Sequence, residues 1–121
     1  MGSVSPIATR HAGPAVAVVV LRGELDAYDA PAVKREVTVA LAAGNDVVLD
    51  LRDASFIDSV VVGELLEARE EATQHGVGFA LALSDSRANH VRRILEQTNL
   101  IELFDVYDTP GKAAVSLRTR T

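Results

Sequence analysis

Three short aliphatic runs, at residues 15–21, 47–51 and 79–83, constrain this chain more than any other feature. A strand covered on both faces loses the in–out alternation of a half-buried one and becomes a continuous apolar run. The first run is Val-rich and follows Gly13-Pro14; the second is Val47, Val48, Leu49 and Leu51 around Asp50. Between the runs the period changes to that of a helix. Val33, Val37, Ala40 and Leu41 predict a helix over 30–43, with Pro31 in its first turn, Asp29 as its cap and Gly44-Asn45 as its end. A second helix is predicted from Ser59 to about His75. Val61, Val62, Leu65, Leu66, Ala68 and Ala72 form its inward stripe, and Glu64, Glu67, Glu70, Glu71 and Gln74 its polar face. Gly76-Val77-Gly78 breaks it. Ser84, Asp85 and Ser86 offer caps for a third helix with Val91, Ile94 and Leu95 inward and Asn99 at its end. A short strand over 104–107 precedes a last helix that opens at Thr109-Pro110. Residues 1–13 are read as flexible or as an edge strand around Ile7–His11.

Strands alternating with helices imply an α/β fold with a largely parallel sheet, mixed if the first pair is antiparallel. The expectation is one domain over residues 1–121, a four- to five-stranded sheet flanked by about four helices. Hydrophobic residues make up 48% of the chain but aromatics only 4%, so the core must be aliphatic, centred on Val18, Val20, Val48, Leu49, Leu66 and Leu81.

Composition also excludes several chemistries. With no Cys there is no disulfide framework, thiolate zinc site or Cys nucleophile. The net charge is −5 and the basic residues are scattered, so nucleic acid is not an expected partner. The longest apolar run is far below a membrane span. Gly76-Val77-Gly78 lacks the third glycine of a dinucleotide fingerprint and precedes a strand, which makes it a turn. His11, His75 and His90 lie in separate elements and read as surface histidines. Asp50, Asp53 and Asp58 surround one strand-to-helix junction, where carboxylates can hold Mg²⁺ or serve phosphoryl chemistry. Capping and solvation is the simpler reading, since no phosphate loop or nucleophile–base pair accompanies them.

The segment Val48-Leu49-Asp50-Leu51-Arg52-Asp53-Ala54-Ser55-Phe56-Ile57-Asp58-Ser59 resembles the signature of STAS domains of the anti-sigma factor antagonist type. In them a buried strand leads to an aspartate-serine pair that opens the next helix. Leu21-Arg22-Gly23-Glu24-Leu25-Asp26 resembles the family's strand-exit element, and Val91, Ile94, Leu95, Leu100 and Phe104 its third-helix region. The resemblance spans roughly residues 13–117. It implies a module without catalysis, cofactor or metal that docks to a protein, commonly an anti-sigma factor with an ATP-binding kinase domain. That kinase phosphorylates a Ser or Thr at the start of the second helix and so blocks the complex. The implied partner-binding and switch region is Asp26, Asp58, Ser59, Val60, Val61, Val62, Gly63, Glu64 and Glu67. A cytoplasmic location is expected, and a homodimer is left open.

The chain departs from the family pattern inside that region. Asp58 and Ser59 match, but Val60 stands at the usual phosphoacceptor position and Val61 at the usual first glycine; Val62 and Gly63 match again. Val has no hydroxyl. Ser59, one residue early, is the nearest remaining acceptor and is expected to cap the helix rather than to be phosphorylated efficiently. The alternative function is a STAS subunit of another assembly, a lipid-transport complex or a stress-signalling scaffold.

Overall fold

The computed structural model describes residues 6–119; residues 1–5 of the N-terminal stretch and residues 120–121 lie outside it. Within the described residues seven strands and four helices follow in the order β1 (Ile7–His11), β2 (Val16–Leu21), β3 (Gly23–Leu25), α1 (Ala30–Ala42), β4 (Asp46–Asp50), β5 (Ala54–Ile57), α2 (Ser59–Gln74), β6 (Phe79–Ala82), α3 (His90–Gln97), β7 (Val106–Tyr107) and α4 (Pro110–Arg118), with a short 3-10 turn at Leu100–Leu103. The main sheet has the strand order β1-β2-β4-β6-β7. β1 runs antiparallel to β2, and every other pair in it is parallel. This is the mixed α/β sheet with four helices that the alternating pattern implies.

The aliphatic runs are explained by the layers on either side. Along β2, Ala17, Val19 and Leu21 enter a large cluster with side chains of α1, α2 and α3. Val16, Val18 and Val20 enter a smaller cluster on the opposite face, beneath Ala113, Ala114 and Leu117 of α4. Both faces are covered, so every residue of β2 is buried and no alternation survives.

Several local expectations need correction. β3 and β5 form a separate two-stranded parallel sheet that the pattern did not suggest. They are three and four residues long, and only Leu25, Ala54 and Ile57 in them are buried, too little for a period of two to emerge. Asp29 stands at the start of α1 but does not cap it; its Oδ2 accepts from the Asp26 amide at 3.0 Å and closes the preceding turn. α3 starts later than expected. Asn89, not Ser84, Asp85 or Ser86, caps it by accepting from the Arg92 amide at 2.9 Å, and the two serines brace the loop before it. Asn99 does mark the end of α3, in the left-handed region at φ 60, where asparagine is among the few tolerated non-glycine residues. Gly76, at φ 71, closes α2 in the same way.

Asp50 is not a solvated carboxylate. It ends β4 almost completely buried, and Arg52 grips it with Nε at 2.9 Å and Nη2 at 3.1 Å. Asp53 is exposed, and the three aspartates form no shared centre; among the described residues no group of three or more His, Cys, Asp or Glu could hold a metal ion. His90 is not a surface histidine: its ring stacks on Phe56 with centroids 4.9 Å apart. No described helix is long and apolar enough to cross a membrane.

Candidate functional site at the entrance of α2

Asp58 organises the region. It sits in extended conformation at the N-cap of α2, and its two carboxylate oxygens do different work. Oδ1 accepts from the Val61 amide at 3.0 Å, satisfying one of the helix's unpaired first-turn donors. Oδ2 reaches across 31 positions of sequence to accept from the Ala27 amide at 2.8 Å. The Asp58 amide in turn donates to the Leu25 carbonyl at 3.3 Å. The loop after β3 is thus fastened to the start of α2. Asp26 shapes that loop from within by accepting from the Tyr28 amide at 2.9 Å, opposite the Asp29 contact already described.

Ser59 is exposed and makes no side-chain hydrogen bond with a described residue. The cap is therefore Asp58, and the reading of Ser59 as a capping group is corrected. The physical reason is reach: a capping side chain must precede the first helical residue, and Ser59 is already in the helix.

The three consecutive valines take three different environments. Val61 is fully buried in the large cluster, Val62 is partly buried against it, and Val60 remains 50% exposed. Val61 supplies the packing that offsets the poor helix propensity of a β-branched run. Gly63 faces open space, with nothing within 4 Å of where a Cβ would stand. The segments joined at this entrance carry exposed aromatic groups that sequence reasoning passed over. Tyr28, next to the tethered Ala27, is 92% exposed, and Phe56 is 38% exposed while stacked on His90. The signal for Tyr28 was present: it is a lone aromatic between Asp26 and Asp29, in a stretch without any apolar period.

Further along α2 the expected acidic face divides. Glu67 is exposed and pairs with Lys34 of α1 at 3.3 Å, and Glu71 lies 3.6 Å from the same ammonium. Glu64 is only 7% exposed, so placing it on the solvent face was an error. Leu66, expected in the core, is instead partly buried at its edge. The stripe that does face the core is Val61, Leu65, Ala68 and Ala72. Burial pushes the Glu64 carboxyl up to about 7, helped by a hydrogen bond and charge from Glu67. Lys34 is held above its ordinary value, first by its hydrogen bond to Glu67.

The site therefore joins Asp26, Asp58, Ser59, Val60 and Gly63 on one surface and separates Val61 and Glu64, which lie beneath it. It can offer a partner apolar contact and main-chain geometry fixed by Asp58. It does not assemble a nucleophile beside a base.

Comparison with known proteins gives a consistent picture. Residues 6–113 match the model of the STAS domain. The structure is similar to an anti-sigma factor antagonist from Mycobacterium paratuberculosis, with 28% identity, a TM-score of 0.78, and coverage of 93% of this chain and 94% of that one. It shares its fold with the phosphorylated form of the Bacillus cell fate determinant SpoIIAA, at 20% identity and a TM-score of 0.67, covering 94% and 99% of the two chains. The fold also recurs in a sulfate transporter family protein from Wolinella succinogenes, at 21% identity and a TM-score of 0.61, covering 85% and 84%.

Proposed function

This chain belongs to the STAS domain family, and we propose that within it the chain is an anti-sigma factor antagonist-like docking module. It binds an anti-sigma factor carrying an ATP-binding serine kinase domain, and in doing so it regulates sigma-factor-dependent transcription in the cytoplasm. It carries out no reaction of its own. The observation that supports this reading is the entrance of α2, where Tyr28 follows the tethered Ala27, Val60 follows the cap Asp58 by two residues, and both stand in solvent. Exposed aromatic and aliphatic groups on a rigid frame are what a protein partner can bury with little ordering cost.

Phosphorylation at the family's usual position does not regulate this chain, because Val60 offers no oxygen. Ser59 is displaced by about 100° around the helix axis and about 1.5 Å along it. A misplacement of about 1 Å can cost roughly a hundredfold in a reaction that depends on in-line positioning. The module is then free to dock constitutively or under a different control.

Affinity purification from the source cell tests the proposal. Recovery of an anti-sigma kinase supports it. Recovery of transporter components instead supports the second reading, a STAS subunit of another assembly, which draws on the presence of the same fold in a transporter family.

A further inference from the structure

Glu64 is a buried residue in the second turn of α2, a helix that packs against α1, and it feels the charge of Lys34 from that helix. The charged groups that face it are few. Lys34 comes from α1, and Glu67 and Glu71 come from α2 itself. Toward the sheet α2 meets β6, whose four residues are all apolar. Among the described residues Lys34 is the cation that acts on it, and it is already engaged by Glu67 and Glu71. An ionised Glu64 would add a third carboxylate to a single ammonium, with part of its surface withdrawn from water; a protonated one would donate a hydrogen bond toward Glu67 and leave the Lys34 pairs undisturbed.

The position of Glu64 connects this balance to the entrance of α2. It lies one turn beyond Val60 and Val61 on the same helix. α1, on the other side of the contact, begins directly after the loop that carries Asp26 and Tyr28, and that loop is held to α2 by the Asp58 tether. A change in α1–α2 packing therefore reaches the loop through the start of α1.

We propose that Glu64 is a proton-operated latch whose state sets how firmly α1, and with it the 26–29 loop, is held against α2. The inference rests on the reading of that loop and the α2 entrance as the docking surface, and it names a control for a module that lacks the usual phosphoacceptor. Protonated, Glu64 stays between the helices. Ionised, it turns outward to gain water, and the α1 contact loosens.

The direction of the pH effect follows from the carboxyl's position. Burial raises it from 4.5 in the unfolded chain to about 7 in the folded one. The folded protein thus keeps a proton that the unfolded chain releases. Stability from this group is full below about 4.5, declines as pH rises toward 7, and is level above that.

The test uses the protein alone, with its carboxyl carbons and backbone amides followed by NMR from pH 5 to 9. The latch requires the Glu64 carboxyl to titrate near 7, and the amides of Ala27, Tyr28 and Val61 to shift with the same midpoint. All of these transitions should be lost in Glu64→Gln, which keeps shape and hydrogen bonding. Titration of Glu64 in the ordinary carboxylate range overturns the proposal. So does titration near 7 without any response in the loop amides, which would show a buried acid uncoupled from the entrance. None of these readouts involves a partner, so a failed latch is distinguishable from a failed docking assignment, which is decided by what the protein captures.

Discussion

At its entrance α2 is fastened by hydrogen bonds and leaves Val60 in solvent; one turn later it is fastened by apolar packing and buries Glu64. The two regions invert the usual distribution of polar and apolar groups, and they do so for connected reasons. A capping carboxylate satisfies a first-turn amide locally and ties the entrance to the preceding loop, so the entrance needs little burial and its apolar side chains stay exposed. The body of the helix has no such device and depends on the seam of Val61, Leu65, Ala68 and Ala72 against the sheet. A helix held in two different ways can present one end as a binding surface without putting the fold at risk.

The largest effect should come from the body. Leu65→Ala removes a fully buried side chain and should cost about 2–5 kcal/mol in denaturant unfolding. Leu66→Ala, one position on but only half-buried, should cost about 1 kcal/mol, since less apolar area is lost from contact. Equal losses at the two positions would break the assignment of which face points inward.

Asp58→Ala comes next. It removes the cap and the tether to Ala27 together, and should cost about 2 kcal/mol. Amide exchange should accelerate at Ala27 and Val61 but not in β4 or β6. A uniform acceleration would mean that entrance and body are a single cooperative unit. Val60→Ser should change stability by about 0.5 kcal/mol or less, as surface substitutions do. It should also create a site that a cognate kinase phosphorylates, with mass spectrometry showing little phosphate on Ser59 in the parent protein. Stoichiometric phosphate on Ser59 would place the switch there instead.

How much of this was legible in the sequence differs between the same two regions. The buried runs announced β2, β4 and β6, and the aspartate-serine pair marked where α2 begins, because both are local signals. The inward face of α2 was not legible from apolar period alone. Glu64 falls three residues after Val61 and one before Leu65, on the side toward α1, and a charged residue there is read as outward until the neighbouring helix is in view. The same holds for His90, whose environment is supplied by Phe56 from 34 positions earlier, and for the β3–β5 pair, whose strands are too short to carry any period. Tertiary partners, not local propensity, decide all three.

The smallest expected effect concerns Glu67, which is exposed and already paired with Lys34. Surface ion pairs contribute about 0–1 kcal/mol to stability. Glu67→Lys should therefore leave the fold intact while slowing association with a basic partner and changing its salt dependence.

We propose that partner binding resides in the exposed entrance of α2. The direct measurement is the affinity of the captured partner for the parent protein and for Tyr28→Ala and Val60→Asp, with the unfolding midpoint of each recorded alongside. Both variants should bind at least about tenfold more weakly, as central contacts of an interface do, with unfolding nearly unchanged. Undiminished affinity in both variants would move the interface to another face of the domain.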